Sequence, residues 1–135
     1  MKCLTSLWSA CILALAIIIN TGPALANGST LSKEEALRIA DHEMGKLRFN
    51  LSEWKVHLDE NNAEWKEVSA LRRSSPFPEA KEYFDKQESG LKEYEYWAVH
   101  YEHLAAPDVA EKDGEVWVFI TRDLGKVLLV IPPGH

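Results

Sequence analysis

An apolar stripe in the first charged part of the chain predicts an amphipathic helix from about residue 33 to 47. Its apolar side chains recur at steps of three and four, the spacing of one helical face, and they are Ala36, Leu37, Ala40, Met44 and Leu47. Ser32 and Glu35 have the spacing of a capping box, in which each side chain accepts a hydrogen bond from the other residue's backbone amide. We therefore expect a helix that starts after Ser32, buries one face and places Asp41 on its solvent side.

Four later segments have the hydrophobic pattern of strands. Residues 54–58 alternate between apolar and polar side chains, as in a half-buried strand. Residues 94–103 are rich in aromatics, and residues 115–122 and 127–131 flank a tight turn in which Gly125 is positioned for a positive φ. The last two strands are apolar on both faces, so each face of their sheet should be covered.

The segment between residues 59 and 90 allows more than one interpretation. Asn61 and Asn62 indicate a turn, because both tolerate positive φ. Residues 63–70 could then return as the second strand of a hairpin, or they could form a helix. Two prolines indicate a loop at 72–78, and residues 79–88 suit a short helix. Together these elements predict an α+β fold, with an N-terminal helix packed on an antiparallel sheet of about four strands.

The first 26 residues have the pattern of a secretory signal peptide. Lys2 is their only charge, residues 11–19 are continuously apolar, and Ala24 and Ala26 give the small-x-small pattern that signal peptidase requires. The apolar core is short for a membrane anchor, which needs about 20 residues. We predict a signal peptide at 1–26, one α+β domain at 27–135, and a periplasmic or secreted location.

Cleavage after Ala26 would leave an acidic domain without cysteine. Cys3 and Cys11 both lie in the predicted signal peptide, so the mature domain could form no disulfide. The formal charge of the chain is −6, and it becomes −7 without Lys2. Phosphate backbones and anionic lipids would repel such a domain, which disfavours nucleic acid and membrane surfaces as partners. A basic protein partner is compatible with it.

The sequence contains no motif typical of catalysis or of a cofactor site. A helical zinc motif, a nucleophile elbow and a phosphate-binding glycine loop are all missing from it. His100 and His103 form the only suggestive pair, and on a strand they would point to opposite faces. We therefore predict no catalytic residue, no cofactor and no metal, with His100 and His103 as the alternative metal pair.

Two segments resemble known families of exported proteins. Residues 31–40 (LSKEEALRIA) resemble the opening helix of PepSY-type domains, which are small modules often attached to peptidases and thought to restrain them. Residues 96–134, with the run GEVWVFI and the turn before GKVL, are similar to predicted immunity proteins that have the nuclear transport factor 2 fold. Leu124 departs from the polar residue that both families favour in that turn. The resemblances imply a protein that neutralises a toxin or restrains a peptidase, and they supply no catalytic residues.

These observations favour an exported, non-enzymatic binding protein that inhibits a protein partner by occlusion. An acidic rim would steer a basic partner, and aromatic side chains would anchor it. We expect the contact residues to be Tyr94, Tyr96 and Glu102, near the ends of the aromatic strand. One alternative is a small-ligand or metal-binding periplasmic module with His100 and His103 at the mouth of a cavity between helix and sheet. Another is a structural protein of the cell envelope.

Overall fold

The chain folds as a four-stranded antiparallel sheet with helices packed on both faces. A computed structural model describes residues 30–104 and 114–133. The elements, in chain order, are α1 (Lys33–Lys46), β1 (Trp54–Asp59), α2 (Ala63–Arg73), α3 (Pro78–Glu88), β2 (Tyr96–His103), β3 (Glu115–Thr121) and β4 (Val127–Ile131). The strands lie side by side in sequence order. The predicted α+β class is therefore confirmed, while the predicted signal peptide and most of the loop between β2 and β3 lie outside the described residues.

The first described helix, α1, has the predicted cap and the predicted buried face. Ser32 Oγ accepts a hydrogen bond from the amide of Glu35 at 3.2 Å, and the Glu35 carboxylate accepts one from the amide of Ser32 at 3.0 Å. The small residues on the inner face let α1 approach the sheet closely. They pack with Met44 against one face of the sheet, in a cluster that includes Ala36, Ala40, Trp97, Val99, Tyr101, Val116, Val118 and Ile120.

The other face of the sheet is covered by α2 and by the turn that precedes β2. Trp65 of α2 lies edge-on against Phe119, with 4.6 Å between ring centroids, and tilted against Trp117 at 5.2 Å. Leu91 and Ala98 complete this second cluster together with Ile131. The expectation that both faces of the last two strands are covered is confirmed for β3, whereas β4, at the edge of the sheet, is only partly covered, since residues 127–130 are half-buried. Trp97 and Trp117, on adjacent strands, are both buried.

The hairpin interpretation of residues 63–70 is wrong, because this segment is the helix α2. Trp65 and Ser69 lie one helical turn apart and are both buried against the sheet side. The buried carboxylate of Asp59 accepts hydrogen bonds from the amides of Ala63 at 3.1 Å and Trp65 at 2.8 Å. These amides would otherwise be unsatisfied at the helix start, where Asn62 makes no side-chain cap. β1 therefore pairs with β2 instead.

The proline-containing loop and the turn before β4 are at the predicted places in the chain. The proline-containing loop is shorter than expected, since α2 continues to Arg73 and α3 begins at Pro78, where the missing amide costs nothing. Gly125 has a φ of 66°, as the turn before β4 required. A Cβ atom at Gly125 would also lie 2.9 Å from Cδ1 of Ile39, so α1 leaves no room for a side chain there.

Candidate functional site

A cleft of about 600 Å³ lies between α2, the turn before β2 and the start of β2. We call it the tyrosine cleft, because Tyr94 and Tyr96 both line it. The Tyr94 side chain is 45% exposed, whereas Tyr96 is half-buried. The structure thus brings together two of the three contact residues expected from the sequence, and Tyr94 offers the larger free surface.

Tyr96 is held firmly at the wall of the tyrosine cleft. Its ring packs edge-on against Phe119, with 5.5 Å between centroids. Its carbonyl oxygen accepts hydrogen bonds from Arg122 Nε at 3.1 Å and from Asn62 Nδ2 at 3.4 Å. Burial raises the pKa of the Tyr96 phenol, and the nearby carboxylates Glu88 and Asp59 raise that pKa further. The phenol therefore stays neutral, available both to donate and to accept a hydrogen bond.

Arg122 supplies a fixed positive charge to the same cleft. Its guanidinium carbon lies 4.0 Å from the ring centroid of Trp97, the geometry of a cation–π contact. It also donates to two backbone carbonyls, those of Tyr96 and Glu60. These partners orient the guanidinium without neutralising it. In the described part of the chain, no carboxylate forms an ion pair with Arg122.

The negative charge at the floor of the cleft is compensated. The Glu88 carboxylate is almost fully buried, and it accepts hydrogen bonds from Ser69 Oγ at 2.6 Å, Arg73 at 2.9 Å and Arg72 at 3.2 Å. A buried carboxylate needs such partners, because an unpaired buried charge is very costly. These contacts join α2 to α3. They also leave Glu88 with little capacity to attract a cation from outside.

The lining of the tyrosine cleft is more basic than the acidic rim expected from the sequence. Its charged residues are Lys66, Arg73, Lys92, Arg122, Glu88 and Glu95. The Glu88 carboxylate is paired with the arginines of α2, so the cleft lining keeps an excess of positive charge. The exposed side chains that carry this charge are Lys66 and Lys92. Neither lysine forms an ion pair with any carboxylate within residues 30–104 and 114–133. The local field favours an acidic group, although the chain as a whole is acidic.

Glu102, the third expected contact residue, lies far from the other two. It is six residues beyond Tyr96 on β2, or about 20 Å at the usual strand rise. It is exposed, lies opposite Glu115 of β3, and has Lys55 Nζ at 3.9 Å. One compact partner group would not contact Tyr94 and Glu102 together.

His100 and His103 lie on opposite faces of the sheet, as their spacing predicted. His100 stacks on Trp117 on the face that α2 covers, with 4.2 Å between centroids and 7° between ring planes. His103 lies edge-on against Trp54 on the face that α1 covers. The two imidazoles therefore do not form a common site. They do not lie together at the mouth of one cavity, as the alternative interpretation of the sequence required.

Sequence reasoning missed Lys66, Lys92, Arg122 and the buried Glu88 as parts of the site. Lys66 lies on an exposed helical position, and such positions are charged in most helices. Arg122 directly follows a strand, where a polar residue is also ordinary. A signal was present only in Glu88, since it lies at helical spacing between two apolar residues, four positions after Phe84 and three before Leu91. Their convergence depends on how α2 packs, which the local pattern does not encode.

No helix in the described part of the chain is long and apolar enough to cross a membrane. Comparisons with protein-family models, with curated proteins and with solved structures gave no match. The resemblances to PepSY-type domains and to immunity proteins therefore stay predictions.

Proposed function

We propose that this chain is an exported, non-enzymatic protein that binds another protein and inhibits it by occlusion, with the tyrosine cleft as its contact surface. The observation that carries the proposal is the pairing of Tyr94, which is 45% exposed, with a fixed Tyr96 in a cleft that has an excess of positive charge. Tyrosine and arginine are enriched at the anchoring centres of protein interfaces. Because Tyr96 and Arg122 are already oriented, little conformational entropy is lost when a partner binds.

The charge of the tyrosine cleft defines the chemistry of the partner. Lys66, Lys92 and Arg122 favour a partner segment that carries carboxylates next to an apolar or aromatic side chain. The acidic remainder of the surface would repel the rest of a strongly acidic partner, so the acidic segment has to be local. A toxin or a peptidase in the same compartment, as the sequence resemblances imply, is the proposed class of target.

Export is the first part of the proposal that can be tested. The cleavage pattern at Ala24 and Ala26 predicts that the protein outside the cytoplasm begins at Asn27. Intact-mass measurement of the exported protein identifies its terminus directly. An exported protein that begins at Met1 or Lys2 would contradict cleavage. The proposed binding function would not be affected by that result.

Affinity capture from a periplasmic extract tests the binding surface. Wild-type bait should retain a partner that bait with Tyr94→Ala and Lys92→Ala loses, because the exposed aromatic surface and a free charge are removed together. Tyr83→Ala is the matched control, since Tyr83 is 50% exposed but lies on α3, outside the cleft. Equal capture by the double variant and the wild type would refute this surface. If only Tyr83→Ala lost the partner, the contact surface would lie on α3 and not in the tyrosine cleft.

A further inference from the structure

His100 is a buried imidazole with one unsatisfied nitrogen. The residue is 3% exposed, and its Nε2 atom has no hydrogen-bond partner among the described residues. A buried polar atom of this kind destabilises the fold unless it accepts or donates a hydrogen bond or binds a metal ion. Oε2 of Glu115 lies 3.6 Å from Nε2, which is too long for a hydrogen bond. The nitrogen therefore faces a carboxylate across a gap.

Two carboxylates converge on this nitrogen from adjacent strands. Glu102 lies two residues after His100 on β2, and therefore on the same face of the sheet. Glu115 of β3 is its direct cross-strand partner. Like charges placed opposite each other destabilise a sheet, and Lys55, 3.9 Å from Glu102, is the only cation paired with either in the described chain. One ligand atom from each of His100, Glu102 and Glu115 lies within 4.8 Å of the other two.

Glu64 of α2 holds the other nitrogen of the same imidazole. Its Oε1 atom lies 2.9 Å from His100 Nδ1, while its Oε2 atom lies 3.4 Å from His57 Nε2. A carboxylate against the second ring nitrogen is the arrangement that orients metal-binding histidines and directs the opposite nitrogen at the ion. The stack on Trp117 fixes the plane of the ring as well.

We propose that His100 Nε2, Glu102 and Glu115 bind one divalent cation of the zinc type. An imidazole nitrogen with two carboxylate oxygens is a ligand set for borderline transition metals, whereas Mg²⁺ and Ca²⁺ prefer oxygen alone. Bonds of about 2.0–2.2 Å place tetrahedral ligand atoms about 3.4 Å apart. The ligand atoms, now within 4.8 Å of one another, have to move closer to bind, and the two glutamate side chains that would move are exposed.

The cation would neutralise the opposed carboxylates and satisfy the orphan nitrogen at once. Three protein ligands leave a fourth coordination position open, and Glu115 also lines a second cleft, of about 680 Å³, together with Trp117 and Trp65. Water or a side chain of a partner can occupy that position. This metal site lies at the opposite end of β2 from the tyrosine cleft, and it does not depend on the proposed function.

Calorimetric titration of the metal-free, purified protein with Zn²⁺ tests the proposal. We expect one strong site in the wild type, its loss in His100→Ala, and an affinity at least about tenfold lower in Glu115→Gln and Glu102→Gln. Glu64→Gln should lower the affinity about 10–100-fold, the usual effect of removing an orienting carboxylate. His42→Ala is the matched control, because His42 is an exposed histidine on α1, and it should bind as the wild type does.

Thermal melting with and without Zn²⁺ separates a lost ligand from a lost fold. Zn²⁺ should raise the melting temperature of the wild type and of His42→Ala, since a ligand that binds the native state stabilises it. At the same Zn²⁺ concentration it should raise that of Glu115→Gln less, because the weaker site binds less metal, and this exposed side chain can be replaced without disturbing the core. The proposal is overturned by unchanged Zn²⁺ affinity in both glutamine variants, by Ca²⁺ affinity equal to that for Zn²⁺, or by no binding.

Discussion

The Tyr101 hydroxyl donates a hydrogen bond of 2.7 Å to Asp41 Oδ1 and so joins the middle of the sheet to the polar side of α1. The ring of Tyr101 is 1% exposed, in the core beneath α1. Asp41 was expected simply to face solvent, and instead it is the acceptor for a buried phenol. The bond fixes the rotation of α1 about its axis. Apolar contacts alone would define that rotation less precisely, because they are not directional.

Replacing Tyr101 with phenylalanine should destabilise the protein by about 1.5–3 kcal/mol, because the lost hydrogen bond is to a charged acceptor. Urea unfolding of Tyr101→Phe, Asp41→Ala and the double variant measures this in a thermodynamic cycle. The double variant should lose less free energy of unfolding than the two single variants together. Additive losses would mean that the two side chains do not act as a pair.

Alkaline unfolding should depend on the same phenol. Burial raises the pKa of Tyr101, and the hydrogen bond and charge of Asp41 raise it further. A folded-state pKa above the unfolded value of about 10 favours the native state fully below pH 10, and this contribution falls as the pH rises further. Stability from urea midpoints should therefore fall more steeply above about pH 10 in the wild type than in Tyr101→Phe. Parallel curves would show that Tyr101 ionises equally well in both states.

Trp97 tests the core between α1 and the sheet. Its ring is buried, its Nε1 donates to the carbonyl of Leu31 at 3.2 Å, and Arg122 lies over its face. Trp97→Ala should cost about 3–5 kcal/mol, out of a total of about 5–15 kcal/mol for such a domain. Trp97→Phe should cost less, because it keeps most of the apolar surface. A Trp97→Ala protein that melts within about two degrees of the wild type contradicts the placement of this strand.

Asp59 tests the cap that starts α2. Removing its carboxylate in Asp59→Ala leaves the amides of Ala63 and Trp65 without partners and should cost about 1–2 kcal/mol. Glu60→Ala is the control, since Glu60 is exposed and its carboxylate pairs with Lys33 on the surface, where such pairs contribute about 0–1 kcal/mol. The two variants are compared by thermal unfolding. A larger loss from Glu60→Ala would show that Asp59 does not stabilise the helix start.

The sequence predicted those elements whose signals are local. The capping box of α1, the alternation in β1 and the positive φ at Gly125 all depend on residues within a few positions. The helix α2 remained ambiguous, because its cap comes from the preceding strand and not from Asn62. Of the candidate site, the sequence predicted only Tyr94 and Tyr96, which lie two positions apart in the chain. The other residues of the site come together because α2 packs beside β2, although the two are about 30 residues apart in the chain. Hydrophobic periodicity indicates local structure and not such long-range packing.

Partner binding should depend on the tyrosine cleft and on no single histidine. Under occlusion, His100→Ala and His103→Ala should leave inhibition nearly intact, whereas a catalytic acid or base typically contributes about 10²–10⁴-fold. The His100 variant would lose Zn²⁺ and still bind its partner. Suppose instead that either variant abolished activity while the fold and partner binding survived. Occlusion would then be refuted, and chemistry at that histidine would replace it.

Binding kinetics assign separate roles to the residues of the cleft. Tyr94→Ala should mainly raise the dissociation rate, because short-range contacts determine how long a complex lasts. Lys92→Glu should mainly slow association, and the difference from the wild type should shrink at high salt, because the attraction is long-range and screened. Surface plasmon resonance at two salt concentrations measures both rates, with Tyr83→Ala as control. Faster association of Lys92→Glu would mean that the partner presents basic groups to the cleft, and the acidic-segment proposal would fail while occlusion survived.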